Sequence, residues 1–184
     1  MTRFPKIILI CIPLFCILSC NEHHSNKKTI EKLLSSQITF PAKWNTNIHD
    51  DVSYLNAAAK MVVLFDSTTC ASCELAHLWE WNEVSSISDE TQNKFTTVFI
   101  FSPGKKDIIS VKRSLENIQS NKIRAIIDED QEFIRLNPFI PKENTFHAFL
   151  LDSENNILLV GNPVKNDKLW KLYKSTIKTT IDNY

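Results

Sequence analysis

The sequence predicts an α/β domain with a central mixed sheet flanked by helices, and three patterns predict it. First, Met61-Val62-Val63-Leu64-Phe65 is a continuous apolar run of the kind found in strands buried on both faces, and residues 95–101 and 123–127 are two further β-rich runs. Second, the stretches between these runs repeat apolar residues at helical spacing, the alternation that a partly parallel sheet requires. Third, residues 146–151 and 157–160 flank the polar Asp152-Ser153-Glu154-Asn155-Asn156, which reads as a hairpin at an antiparallel edge. With 184 residues, 43% hydrophobic and 23% charged, the chain has room for one core of ordinary size.

Ahead of that core, Arg3 and Lys6 precede an apolar run from Ile7 to Leu18. A membrane-crossing helix needs roughly 20 apolar residues, so the run suits the h-region of a secretory signal better than a span. It ends in Ile17-Leu18-Ser19-Cys20, which resembles the cleavage box of bacterial lipoproteins. That resemblance implies a signal peptide over residues 1–19, lipid on Cys20, a polar tether over 20–28 and a folded domain over 29–184. The expected location is the bacterial cell envelope, anchored by lipid to a membrane, the outer one favoured, and facing periplasm or exterior. Removing residues 1–19 takes away Arg3 and Lys6 and leaves 19 basic and 21 acidic side chains, a formal charge of −2. A nearly neutral body offers no long-range field for nucleic acid.

Within the domain, Ile30, Leu33 and Leu34 recur at helical spacing, and residues 38–40 form a short strand-like stretch stopped by Pro41. After the strand at 61–65, Asp66, Ser67, Thr68 and Thr69 make a polar turn, and a helix opens at Cys70 with Leu75, Leu78, Trp79 and Val84 on one side. The strand at 95–101 ends at Ser102-Pro103-Gly104, and Ile108, Ile109, Val111, Leu115 and Ile118 fit a helix. A short helix with Phe133, Ile134 and Leu136 must stop before Pro138. Leu169, Leu172, Tyr173, Thr176 and Ile177 close the chain with an amphipathic helix. Gly104 and Gly161 are the only glycines, so no glycine-rich phosphate loop exists and no nucleotide cofactor is expected.

Chemistry concentrates at Cys70-Ala71-Ser72-Cys73. Unpaired N–H groups at a helix start stabilise a thiolate, whose pKa can fall from about 8.5 to roughly 3.5–7.5. This makes Cys70 the expected nucleophile and Cys73, placed one turn further in and more buried, the resolving thiol. A bridge closing so short a loop adds little through chain entropy, so structural stapling is a poor purpose for it. The bland alternative is a pair of small buried hydrophobes.

Strand, turn and cysteine pair together resemble the thioredoxin superfamily, specifically membrane-tethered thiol-disulfide oxidoreductases and redoxins with an inserted helix and strand. The resemblance covers roughly residues 30–181: residues 61–65 with Cys70 and Cys73 match the active-site strand and helix, Ile123-Arg124-Ala125-Ile126-Ile127-Asp128 looks like the inserted strand, and Phe149-Leu150-Leu151-Asp152 is similar to the strand after the family's cis-proline. The chain departs from the family at three places. Phe146, preceded by Thr145, stands at the cis-proline position, where a trans bond is expected. Thr69 replaces the usual tryptophan, and Leu64 the usual buried acid. His147 is then expected near the cysteines, where a charged imidazole favours the thiolate, and Phe146 and Thr69 are further supporting candidates.

Other candidates carry bland readings. Asp66 reads as a turn former rather than a proton relay, and Glu74 as a helix-dipole partner. His77 has too few companions for a metal, and no metal is expected; His23 and His24 belong to the tether. Of Trp79 and Trp81, two positions apart, one is core and the other is free to meet a partner. The leading expectation is an exported, lipid-anchored thiol-disulfide oxidoreductase that exchanges electrons with protein thiols or disulfides. The competing one is a thioredoxin-fold binding module with little redox activity; peroxide reduction by Cys70 is a third. The sequence leaves the oligomeric state open.

Overall fold

A computed structural model describes residues 25–42, 44, 52–116, 124–164 and 166–184. Five strands make one mixed sheet: β1 (Ala59–Phe65), β2 (Phe95–Phe101), β3 (Arg124–Ile127), β4 (Ala148–Leu151) and β5 (Ile157–Val160). Their order is β3-β2-β1-β4-β5, with β1, β2 and β3 parallel and β4 and β5 antiparallel to their neighbours. The helices are α1 (residues 25–34), α2 (Ala71–Ala76), α3 (Asn82–Glu90), α4 (Ile108–Glu116), α5 (Glu132–Leu136) and α6 (Asp167–Asp182).

Alternation along the strands divides the core into two layers. Met61, Val63 and Phe65 of β1 join Ala71 and Leu75 of α2, Val84 of α3, Val111 and Leu115 of α4, and Trp170, Tyr173 and Ile177 of α6. Val62 and Leu64 face the other way, with Leu33 of α1, Phe133 of α5 and Phe149 of β4. All seven residues of β1 and of β2 are buried, as strands covered on both faces must be.

Several boundaries differ from the sequence reading. The helix at the N-terminal side takes in residues 25–28, which the tether assignment covers. Residues 38–40 form no strand; Gln37 makes an isolated bridge to Asn156, and the Ile38 N–H donates to the Asn155 carbonyl at 2.9 Å. The single helix expected after Cys70 is broken at His77 into α2, a 3₁₀ turn over Leu78–Trp81, and α3. The break reverses the fates of the aromatic pair: Trp81 is buried, and Trp79, expected on the apolar side, is 64% exposed. Strand β4 starts at Ala148, because residues Asn144–Phe146 make a 3₁₀ turn. On α6, Trp170 is buried and Leu172 is not. Ile123 and Ile118 lie outside the described residues, as do Cys20, His23 and His24.

Buried polar groups hold the loops. Asn137, fully buried, accepts the Thr39 N–H at 2.8 Å and donates to the carbonyls of Thr39 and Phe133 at 2.8 and 2.7 Å, tying the segment after α1 to α5. Asp128 accepts from Ser102 Oγ and from the Glu132 and Phe133 N–H groups, capping α5. Lys60 is also fully buried, its Nζ donating to the carbonyls of Ala57 and Ser153 at 3.2 and 3.3 Å. Burial pulls its pKa from 10.5 down to about 8, against the opposing pull of Asp152.

Two outcomes follow. Asn137→Ala strands the N–H and the carbonyl of Thr39, while the Phe133 carbonyl keeps its bond from the backbone N–H of residue 137, and lowers stability by about 2–4 kcal/mol in urea unfolding. For Lys60 the unfolded chain holds the proton more tightly, so the penalty for its charge is full below pH about 8 and gone above about 10.5. The stability of the wild type relative to Lys60→Met therefore rises across that window, by about 3 kcal/mol, in urea titrations at fixed pH.

Candidate functional site

The site begins where β1 ends. Asp66, buried, accepts the backbone N–H and the hydroxyl of Thr68 on Oδ1 at 2.9 and 2.6 Å, while its carbonyl accepts from the N–H and Oγ1 of Thr69 at 3.2 and 2.8 Å. This closed turn is the structural role expected of Asp66, and it delivers the chain to Cys70 in extended conformation, with φ −76° and ψ 91°. Cys70 is the residue before α2, and the first intrahelical bond runs from the Glu74 N–H to the Cys70 carbonyl at 3.0 Å. The N–H groups of Ala71, Ser72 and Cys73 thus precede the hydrogen-bonded ladder, next to both sulfurs.

Cys70 and Cys73 are joined by a disulfide, with their Cα atoms 5.2 Å apart. Both residues are exposed. This corrects the expectation that Cys73 is more buried: α2 is only six residues long, and its buried side chains are Ala71 and Leu75, which leaves Cys73 on the outer side. Ser72 was not singled out as a participant by the sequence, yet its Oγ lies 3.5 Å from Cys70 Sγ. Its place between the cysteines was the available signal.

Beside α2 lies a cavity of about 330 Å³ whose wall includes Thr69, Glu74, His77, Glu80, Asn144 and His147. Neither cysteine lines it; Thr69 and Glu74, which flank the pair in sequence, do. His147 is 4% exposed; its Nε2 lies 2.7 Å from the Pro141 carbonyl, which can only accept, so that nitrogen carries the proton. Nδ1 is buried with no hydrogen-bond partner, and no hydrogen bond joins the ring to either cysteine. His77 Nδ1 lies 3.1 Å from Glu80 Oε1. Asn144 and Glu80 escaped the sequence reading, since neither hydrophobic period nor spacing marks them.

Phe146 is buried among Leu64, Phe149 and Phe133 in the layer opposite α2, so its side chain serves that core rather than the sulfurs. No cis peptide bond occurs among the described residues. Among the described residues no cluster of His, Cys, Asp and Glu could hold a metal, and no helix is long and apolar enough to cross a membrane.

No family model matches the chain, and no curated protein matches it. Solved structures resemble it at TM-scores just under 0.5. The thioredoxin domain of a thiol-disulfide oxidoreductase from Bacteroides vulgatus has 15% identity and a TM-score of 0.48, with 77% of this chain and 98% of that chain covered. Bacterioferritin comigratory protein from Xanthomonas campestris has 12% identity and a TM-score of 0.48, covering 79% of this chain and 97% of that one. A protein of Chlorobium tepidum described as thiol:disulfide interchange protein DsbE has 14% identity and a TM-score of 0.49, covering 68% and 84%. These likenesses assign neither a family nor an activity to this chain; the mixed five-stranded sheet flanked by helices is α/β in class, as the sequence predicts.

Proposed function

We propose that this protein is an exported, lipid-anchored thiol-disulfide oxidoreductase that exchanges electrons with protein thiols through Cys70 and Cys73. The observation that carries the reading is an exposed disulfide placed where a helix begins, beside a cavity. A partner thiolate attacks the Cys70 sulfur, the Cys70–Cys73 bond breaks, and Cys73 leaves as a thiolate that takes up a proton. A second partner thiolate then attacks its own sulfur in the mixed disulfide and releases Cys70 as a thiolate, so two electrons pass to the pair. In the opposite direction Cys73 attacks the mixed disulfide at Cys70. Cys70 is assigned the exchanging role because it sits outside the ladder at the helix start, next to the free N–H groups.

Export and anchoring rest on the sequence: Arg3 and Lys6, the short apolar run and the box ending at Cys20. A second reading, a binding module with the cysteines idle, draws on Trp79, which is 64% exposed in the 3₁₀ turn after α2.

With Cys73→Ser, Cys70 accumulates mixed disulfides with envelope proteins, seen as bands that collapse on reduction in non-reducing gels; a total absence of such bands, with partners still retained by the double Cys70→Ala/Cys73→Ala variant, establishes the binding-module reading instead. Cys20→Ser abolishes incorporation of labelled fatty acid and moves the chain out of the membrane fraction; labelling that survives the change removes Cys20 as the lipid site.

A further inference from the structure

Two groups on the wall of the cavity beside α2 are acceptors without a partner, the Glu74 carboxylate and Nδ1 of His147. The Glu74 carboxylate, half-buried in the first turn of α2, has no hydrogen bond or ion pair among the described residues. His147 presents a buried Nδ1 without a partner, and because Nε2–H is committed to the Pro141 carbonyl, Nδ1 is an acceptor. Glu80 adds a second carboxylate, held against His77. No lysine or arginine lines the cavity. The local sequence shows the same bias: from Met61 to Asn93 there are Asp66, Glu74, Glu80, Glu83, Asp89 and Glu90, and not one Lys or Arg. Other elements supply cations at a distance from the wall: Lys174 of α6 pairs with Glu83 at 3.7 Å, and Lys112 of α4 with Glu129 at 2.7 Å.

A wall whose carboxylates face no lysine or arginine, and whose buried unpartnered atom is an acceptor, favours a cationic occupant. We infer that the cavity receives a lysine or arginine side chain of the partner polypeptide, adjacent to the partner's reactive cysteine, with Glu74 as the residue that selects it. The inference rests on the exchange reaction proposed above and adds the chemical class of its partner. A lysine ammonium offers three N–H donors and an arginine guanidinium five, and neither offers an acceptor. About 330 Å³ accommodates either side chain with room for solvent. Because Glu74 directly follows Cys73, a cation seated against it holds the partner chain at the helix that carries the disulfide, and it offsets the like-charge repulsion that Glu74 exerts on a sulfur leaving as thiolate at Cys73.

The test uses the full chain in its disulfide form and a set of single-cysteine peptides that differ at one flanking residue: Lys, Arg, Gln or Glu. The rate at which each peptide thiol opens the Cys70–Cys73 bond is divided by its rate with glutathione disulfide, which removes the peptide's own thiol reactivity. The Lys and Arg peptides are expected to react about three- to tenfold faster than the Gln peptide and faster still than the Glu peptide, with the advantage shrinking between low and high salt. In Glu74→Gln the advantage disappears. Salt dependence in the wild type serves as the second readout if the variant does not fold. Equal normalised rates across the peptides, or a preference that persists in Glu74→Gln, overturns the inference and leaves the exchange reaction standing; failure of every peptide to open the disulfide refutes the exchange reaction itself.

Discussion

Strand β1 is constrained on four sides, and the rest of the molecule is arranged around that constraint. Its edges are taken by β2 and β4, and its faces by two separate apolar layers. A strand so enclosed has no freedom of register, because a slip by one residue exchanges every side chain between the layers. Leu64 N–H bonds the His147 carbonyl at 2.8 Å, and Ser102 N–H bonds the Phe65 carbonyl at 2.8 Å, so pairing persists to the last residue of β1. The point at which the chain leaves the sheet is therefore fixed, and the Asp66 turn converts it into a fixed position for Cys70.

This division of labour explains how an exposed disulfide can be held stationary in place. The sulfurs ride on a helix of six residues, too short to hold itself together, and α2 is kept helical by Ala71 and Leu75 packing into the layer that β1 supports. A thiolate in the dithiol state would lie next to N–H groups that belong to the first turn, an effect that depends on those few dipoles and not on helix length. The chain uses no buried acid at Leu64 and no tryptophan at Thr69; polarity near the sulfurs comes from Ser72, Glu74 and the cavity wall.

The strands were legible because burial on both faces leaves an unbroken apolar run: β2 spans residues 95–101 in sequence and in structure alike. Cys70 and Cys73 were legible as a pair for the same reason, since a turn between a strand and a helical period leaves one place for them. What the sequence hid was decided by contacts distant along the chain. The interruption at His77 needs Leu78 and Trp81 to enter the core through a tighter 3₁₀ spacing, which a search at 3.6 residues per turn averages away. Asn137 reaches a partner 98 positions back, and no local pattern announces that. The cavity wall draws on β1, α2 and the turn before β4, so Asn144 and His147 meet Glu74 only once the sheet order is known.

The sheet is widest at its centre and tapers outward: β1 and β2 have seven residues each, whereas the outermost strands β3 and β5 have four. Gln37 bridges to Asn156 at the start of β5, and Gly161 and Pro163 follow its end. An outer strand of four residues presents a template too brief for another chain to extend by backbone pairing. Intermolecular growth of the sheet into fibrils is thereby discouraged by geometry alone.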